Sequence, residues 1–196
     1  MQIGIDIDGV IVDLMHAFRE VIAIDYNIVL RHRDITEYEL KKIIPWFTGD
    51  IFNTLCIKHR LYANALPEPG ALDGMAYLYR NHDLHLISAR PTIFMEQTLS
   101  WFRKNNVRYD TLHLVHRPEI GFYHPDDGVF GESPKVSVCQ DLRLDLFIED
   151  ATHHATSIGA QNIPVIIFDQ PWNQQWTGMR ACSWKEITNL VDQLLL

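Results

Sequence analysis

The opening segment of the chain, MQIGIDIDGVIVDL, places two carboxylates at the end of a short apolar strand. Isoleucines alternate with Gly4 and Asp6, a pattern that predicts a buried strand over residues 2–7, followed by Asp8 and Gly9. A buried carboxylate is costly unless it is neutralised or meets a partner. The fold must therefore bring a cation or hydrogen-bond donors to the end of this strand.

Strand-like and helix-like segments alternate along the rest of the chain. The patterns predict strands at 83–88, 111–115, 145–149 and 164–168, and helices at 11–27, 71–81, 92–105, 134–142, 152–159 and 184–195. Residues 116–133 have no clear period and are predicted to form an irregular loop. This alternation with short connections predicts an α/β protein with a parallel sheet covered on both faces.

A long segment separates the first two predicted strands. Residues 15–69 are mostly helical in pattern and end in the turn-forming run ALPEPGA. The segment is too large for a simple crossover, so we predict a small helical cap at 15–69 and a core made of 1–14 and 70–196. Its aromatic residues Trp46, Phe47 and Phe52 either form the core of this cap or stack on a nucleobase.

Composition and charge narrow the class of protein. The chain has 196 residues and a formal net charge of −8, which does not favour binding to a nucleic acid polymer or to an anionic membrane. No apolar stretch approaches the roughly 20 residues of a membrane span, and no signal peptide is recognisable. Three widely spaced cysteines indicate free thiols in a reducing compartment. We therefore predict a cytoplasmic protein of unknown oligomeric state.

Polar groups follow several of the predicted strands. In an open parallel sheet, ligands bind at the carboxyl ends of the strands, near the point where the strand order reverses. The groups expected there are Asp6 and Asp8 after the first strand, Ser88 and Arg90 after the second, Lys135 at the start of a helix, and Glu149 and Asp150 after the fourth.

This set of side chains suits phosphoryl transfer. Crowded carboxylates repel one another unless a hard cation lies among them, and Mg²⁺ prefers oxygen ligands such as Asp6, the Asp8 carbonyl and Asp150. The Lys135 ammonium and the Ser88 hydroxyl could hold the phosphate oxygens. Asp8 lies close enough to Asp6 to protonate a leaving group and later to activate water.

The same residues resemble the motifs of the haloacid dehalogenase-like (HAD) superfamily. Asp6-Ile7-Asp8-Gly9-Val10 is similar to its first motif, and the strand ending in Ser88, then Lys135, then Glu149–Asp150 are similar to the second, third and fourth. The resemblance implies a three-layer Rossmann-like fold with a cap inserted after the first strand. The early helical cap and the run PEPGA before ISARP resemble the 5′(3′)-deoxyribonucleotidase branch and its uncharacterised bacterial relatives.

The resemblance also implies a role for each residue. It assigns Asp6 as the nucleophile that forms an aspartyl-phosphate, Asp8 as general acid and base, Ser88, Ala89 and Lys135 as phosphate-binding groups, Asp6, Asp8 and Asp150 as Mg²⁺ ligands, and Glu149 and Arg90 as supporting groups. Whether Glu149 or Asp150 contacts the metal stays open. Arg90 is expected to pair with a carboxylate of the cap or of the surface, or to contact the phosphate.

The implied function is a Mg²⁺-dependent phosphomonoester hydrolase acting on a small phosphorylated substrate, which could be a nucleoside monophosphate. Two alternatives remain at this point: a phosphate- or nucleotide-binding module without turnover, and a phosphotransferase that passes the phosphoryl group to an alcohol. The intact acid pair of the first motif argues against the binding module, because a site without catalytic activity would have no need to keep Asp8.

Overall fold

The computed structural model describes residues 1–115 and 133–195. The strands in these residues are β1 Gln2–Ile5, β2 Val12–Asp13, β3 Leu66–Pro67, β4 Asp83–Ser88, β5 Thr111–Leu114, β6 Leu146–Glu149, β7 Val165–Phe168 and β8 Arg180–Ala181. The helices are α1 Leu14–Tyr26, α2 Leu40–Ile43, α3 Gly49–His59, α4 Leu61–Asn64, α5 Ala71–Leu78, α6 Met95–Lys104, α7 Lys135–Asp141, α8 Thr152–Gly159 and α9 Trp184–Gln193.

Within the described residues, a six-stranded sheet forms the centre of the molecule, in the order β5-β4-β1-β6-β7-β8. Every neighbouring pair in this sheet is parallel. Burial on both faces explains the nearly continuous apolar strands LFIE and VIIF. The predicted α/β class with a parallel, Rossmann-like sheet is confirmed. Because β1 lies between β4 and β6, the strand order reverses at β1, and a ligand is expected at its carboxyl end.

The start of the first helix differs from the prediction of a helix over 11–27. Val12 and Asp13 instead form β2, which pairs antiparallel with β3, so α1 begins at Leu14. The Asp13 carboxylate caps this helix by accepting a hydrogen bond of 2.8 Å from the backbone N–H of His16. A two-residue strand has too few residues to show a period, and its pairing partner is distant in sequence.

Aromatic rings pack against one another among the helices between β2 and β3. The Phe18 ring lies 5.2 Å from the Phe47 ring and 5.9 Å from the Phe52 ring, measured between centroids. Trp46 is 47% exposed and packs against both Tyr26 and Phe47. Phe47 and Phe52 thus serve packing, although Phe18 and Phe47 belong to the same hydrophobic cluster as the residues of β1. The division into core 1–14 and 70–196 and cap 15–69 stays a prediction.

Other element boundaries shift by a few residues. The predicted helix 92–105 begins with a 3₁₀ turn at Thr92–Phe94, and β8 was not predicted. The predicted loop 116–133 lies outside the described residues except for Ser133. Among the described helices, none combines the length and the apolar character needed to cross a membrane.

A buried hydrogen-bond network joins the β2–β3 strand pair to the end of the sheet. The Gln170 amide donates to the Gly9 carbonyl at 2.9 Å and to Glu68 Oε1 at 3.2 Å. Glu68 is 8% exposed, and its backbone N–H donates to the Ile11 carbonyl at 2.9 Å. Burial and the nearby charge of Asp13 raise the pKa of Glu68 from 4.5 to about 8, although the Gln170 hydrogen bond lowers it.

We expect Glu68→Gln to flatten the pH dependence of stability. Since the folded-state pKa of Glu68 is raised, its contribution is complete below pH 4.5 and is lost as the pH rises towards 8. At pH 8 the variant should have a free energy of unfolding higher than wild type by about 1–3 kcal/mol. Urea unfolding at several pH values measures this. Glu96→Gln, at an exposed position, serves as control. If the free energy of unfolding varies with pH in the same way in wild type and Glu68→Gln, the expectation is wrong.

Candidate active site

The chain turns sharply at the end of β1. The backbone N–H of Gly9 donates to the Val12 carbonyl at 2.8 Å, and the N–H groups of Ile11 and Val12 both donate to the Ile7 carbonyl at 2.9 Å. Gly9 has a φ of +76°, and a Cβ there would collide with the carboxylate of Asp150. Glycine at position 9 therefore allows the first-strand loop to approach the end of β6 closely.

Three buried carboxylates meet at the ends of β1 and β6. One oxygen from each of Asp6, Glu149 and Asp150 lies within 4.8 Å of the others. The Lys135 ammonium lies 2.8 Å from Asp6 Oδ1 and 2.7 Å from Glu149 Oε2. All four side chains are nearly inaccessible to solvent. The structure thus brings together four residues that the sequence placed at the sheet edge, Lys135 at the first position of α7 among them.

The electrostatics of this acid cluster favour a cation. Burial raises the pKa of Asp6 to about 7, with the charges of Glu149 and Asp8 adding to the effect and Lys135 opposing it. Burial, Glu149 and Asp6 raise the pKa of Asp150 well above its usual range. Burial lowers the pKa of Lys135, but Asp6 and Glu149 outweigh it and keep the ammonium charged. Among the described residues, Lys135 supplies the one ammonium in contact with this cluster, which does not balance three carboxylates. An all-oxygen donor set fits a hard divalent cation.

Glu149 and Asp150 have different surroundings. Glu149 Oε1 accepts the backbone N–H groups of Asp150 and Ala151 at 3.1 and 3.2 Å, while its Oε2 accepts from Lys135. Asp150 Oδ2 accepts the indole N–H of Trp172 at 3.0 Å, and its backbone carbonyl accepts from the Asn173 amide at 2.8 Å. Both oxygens of Glu149 are therefore engaged within the protein, whereas Trp172 orients Asp150 through a single oxygen.

The end of β4 supplies the second group of predicted residues. Ser88 is 1% exposed, and its hydroxyl oxygen accepts the backbone N–H of Arg90 at 3.2 Å across the half-buried Ala89. The Arg90 guanidinium pairs with Asp8, donating from Nε to Oδ2 at 2.8 Å and from Nη2 to Oδ1 at 2.6 Å. The partner of Arg90 is neither an acid of the predicted cap nor a surface acid but Asp8, the second acid of the first motif.

Sequence reasoning missed Tyr38, which precedes α2. Its ring packs edge-on against the ring of His153 at the start of α8, with 4.8 Å between centroids. Burial raises the pKa of the Tyr38 hydroxyl well above its usual range, and the charges of the nearby acids, Asp150, Asp6, Glu149 and Asp8, add to this. The residue as a whole is 45% exposed. Its position between two short elements carried no periodic signal.

Comparison with known proteins now identifies the family. The model of the family described as 5′ nucleotidase, deoxy (Pyrimidine), cytosolic type C protein matches residues 1–124. The chain belongs to this family. The match includes the loop after β1, the segment between β2 and β3, and the end of β4 with Ser88 and Arg90.

Relatives of this nucleotidase-family protein extend over most of its length. A Bacillus subtilis protein named "Putative nucleotidase YqfW" is 30% identical over 176 residues, which cover 89% of this chain and 83% of the relative. Nucleotidase CA_C3379 of Clostridium acetobutylicum is 25% identical over 199 residues, with 99% and 95% of the two chains covered. The predicted membership of the nucleotidase branch is confirmed.

The fold is similar to that of solved HAD structures. A haloacid dehalogenase-like hydrolase, SP0104 of Streptococcus pneumoniae, superposes with a TM-score of 0.66 at 15% identity, covering 97% of each chain. The predicted HAD-like fold is therefore confirmed. Together with the family, it makes the protein an enzyme, a HAD-type phosphatase of the nucleotidase branch.

Proposed function

We propose that this nucleotidase-family protein is a Mg²⁺-dependent phosphomonoesterase that works through an aspartyl-phosphate and acts on (deoxy)nucleoside monophosphates. The observation that carries the proposal is the buried cluster of Asp6, Glu149 and Asp150 around the Lys135 ammonium. The name of the matching family and those of the relatives supply the substrate class.

Asp6 and Asp8 have different roles in the two chemical steps, the formation and the hydrolysis of the aspartyl-phosphate. An Asp6 oxygen attacks phosphorus, the bond from phosphorus to the leaving oxygen breaks, and Asp8 gives its proton to that oxygen. Water then attacks the aspartyl-phosphate, Asp8 takes the proton of the water, and the bond between Asp6 and phosphorus breaks. Inorganic phosphate leaves and both acids return to their starting states.

The remaining residues bind the cation and the phosphate group and neutralise the phosphate charge. Asp6, the Asp8 carbonyl and Asp150 would hold Mg²⁺, with Glu149 supporting through Lys135 and the backbone. When bound, the cation offsets the repulsion between the attacking carboxylate and the phosphate dianion. The Ser88 hydroxyl, the backbone N–H of Ala89 and the Lys135 ammonium hold the phosphate oxygens. Tyr38, in the segment 15–69, lies within electrostatic range of these acids.

Phosphate release tests the proposal directly. The protein, stripped of metal with EDTA, is assayed on nucleoside 5′- and 3′-monophosphates, sugar phosphates and p-nitrophenyl phosphate, before and after Mg²⁺ is returned. We expect Mg²⁺ to raise turnover by at least about 100-fold and one nucleotide class to be hydrolysed fastest. Equal phosphate release with and without metal would contradict the proposal. Adding a free nucleoside as acceptor separates hydrolysis from transfer, because only transfer gives a new nucleotide.

Mg²⁺ binding also has a readout that is independent of activity. A cation that binds only the folded state raises the thermal midpoint in a concentration-dependent way. We expect Mg²⁺ to raise the midpoint of the wild type and to have a much smaller effect on Asp150→Asn, because the amide is a weaker ligand. Asp169→Asn, one strand further along the sheet, is the matched control. A full Mg²⁺ response in Asp150→Asn would remove Asp150 from the ligand set.

A further inference from the structure

Arg90 is buried at the edge of the acid cluster, and the protein uses all three of its guanidinium nitrogens. Nε and Nη2 donate to the two oxygens of Asp8, and Nη1 donates to Thr98 Oγ1 at 3.1 Å. The residue is 2% exposed, and its guanidinium carbon lies 4.5 Å from the centre of the Tyr62 ring. These contacts are typical of a structural cation. An arginine that binds phosphate would instead have guanidinium nitrogens without a protein partner.

The support beneath Arg90 comes from separate parts of the fold. Thr98, in α6, is fully buried, and its hydroxyl donates to the Phe94 carbonyl at 3.0 Å, which leaves its oxygen free to accept from Arg90. Tyr62, in α4, is 3% exposed, and the guanidinium carbon of Arg90 lies over its ring. A planar guanidinium held by Thr98 and Tyr62 fixes the plane of the carboxylate to which it donates two hydrogen bonds.

Asp8 differs from the acids of the cluster in its exposure. Its side chain is 24% accessible, whereas that of Asp6 is 7% and that of Glu149 is 0%. A partly exposed carboxylate at the start of a tight turn has several rotamers available, and proton transfer requires one of them to face the leaving oxygen. The contact with Arg90 removes that freedom.

We propose that Arg90 is a positioning residue, which holds the Asp8 carboxylate in the direction required for proton transfer to the leaving oxygen and from the attacking water. The inference rests on the proposed function, because it deepens the role given to Asp8. In this proposal, Arg90 does not contact the phosphate. It also explains why the residue two positions after Ser88 is a buried arginine anchored to α6.

A comparison of leaving groups tests this role. Departure of p-nitrophenolate needs no proton, whereas departure of the sugar hydroxyl of thymidine 5′-monophosphate does. Since kcat/KM reports the steps up to the departure of the leaving group, misdirecting Asp8 should lower it for the nucleotide only. For Arg90→Lys, which keeps the charge but loses the two-pronged contact, we expect a fall of roughly 100-fold on the nucleotide and less than about threefold on p-nitrophenyl phosphate.

A double-mutant cycle provides the second arm. If Arg90 acts through Asp8, Arg90→Lys should have little further effect on kcat/KM for the nucleotide in an Asp8→Asn background. Arg103→Met, an exposed arginine of α6, is the matched control and should leave both substrates unaffected. If Arg90→Lys does not fold, Thr98→Val replaces it in the assay. The Thr98 substitution keeps the Arg90–Asp8 pair and removes only the hydrogen bond that anchors Arg90. It should lower kcat/KM for the nucleotide more than for p-nitrophenyl phosphate, but by a smaller factor.

Several results would overturn the inference. A rise in KM with equal losses on both substrates would make Arg90 a phosphate-binding group. Wild-type activity in Arg90→Lys, or additive effects in the cycle, would remove its role in positioning. These outcomes leave the proposed function intact, because the wild type still hydrolyses both esters. A wild type that releases phosphate from neither ester under Mg²⁺ would overturn the proposed function and this inference together.

Discussion

Asp6→Asn is expected to lower kcat for phosphate release by roughly 10⁴-fold or more, because the amide cannot form the covalent intermediate. The variant should remain folded. Asp6 is an acid whose burial raises its pKa to about 7, so removing its charge relieves repulsion with Glu149 and Asp8. We therefore expect its thermal midpoint to be at or above that of the wild type. Phosphate release and thermal unfolding, measured on the same preparation, check both statements.

The matched control for this substitution is Asp13→Asn. It makes the same chemical change outside the acid cluster, and asparagine caps a helix about as well as aspartate does, so α1 should be preserved. Acid-quenched wild type, sampled during turnover, should carry one added phosphoryl group by mass spectrometry, and Asp6→Asn should carry none. A variant that keeps more than about a tenth of wild-type kcat, or that is still phosphorylated, would exclude Asp6 as the nucleophile.

The sheet and the acid cluster were predictable because they follow from local patterns. Each buried parallel strand is a short apolar run, and the polar residue that ends such a run must lie at the carboxyl edge. Asp6 and Asp150 could be placed together on this basis although they are distant in sequence. Lys135 could be added because a lysine at the first position of a helix is unfavourable for the helix dipole and suggests a specific partner.

The side-chain partners could not be predicted because no periodicity encodes them. Arg90 and Asp8 are 82 positions apart, and Trp172 reaches Asp150 from a 3₁₀ turn after β7. Tyr38 contacts His153 from a stretch between short helical segments. Such contacts depend on how loops pack after the sheet has formed. For the same reason, the alternatives considered for Arg90, an acid of the cap or of the surface or else the phosphate, did not include Asp8.

Lys135→Met should destabilise the protein by about 3–5 kcal/mol at neutral pH, the usual cost of removing one partner from a buried ion pair. Methionine fills a similar volume, so the loss reflects charge. Without the ammonium, 2.8 Å from Asp6 and 2.7 Å from Glu149, the carboxylates face one another unbalanced. Urea unfolding measures this effect. Lys185→Met, at an exposed position in α9, is the control and should change the free energy of unfolding by less than about 0.5 kcal/mol.

Magnesium should then distinguish a charge effect from a packing effect. If the acid cluster binds a divalent cation, Mg²⁺ takes over part of the neutralisation that Lys135 provides. Its addition should restore more stability to Lys135→Met than it adds to the wild type. Phosphate release should stay low, because the phosphate has lost its ammonium partner. If Lys135→Met is as stable as the wild type, or if Mg²⁺ stabilises the two proteins equally, then the balance of charge among Asp6, Glu149 and Lys135 does not hold this site together.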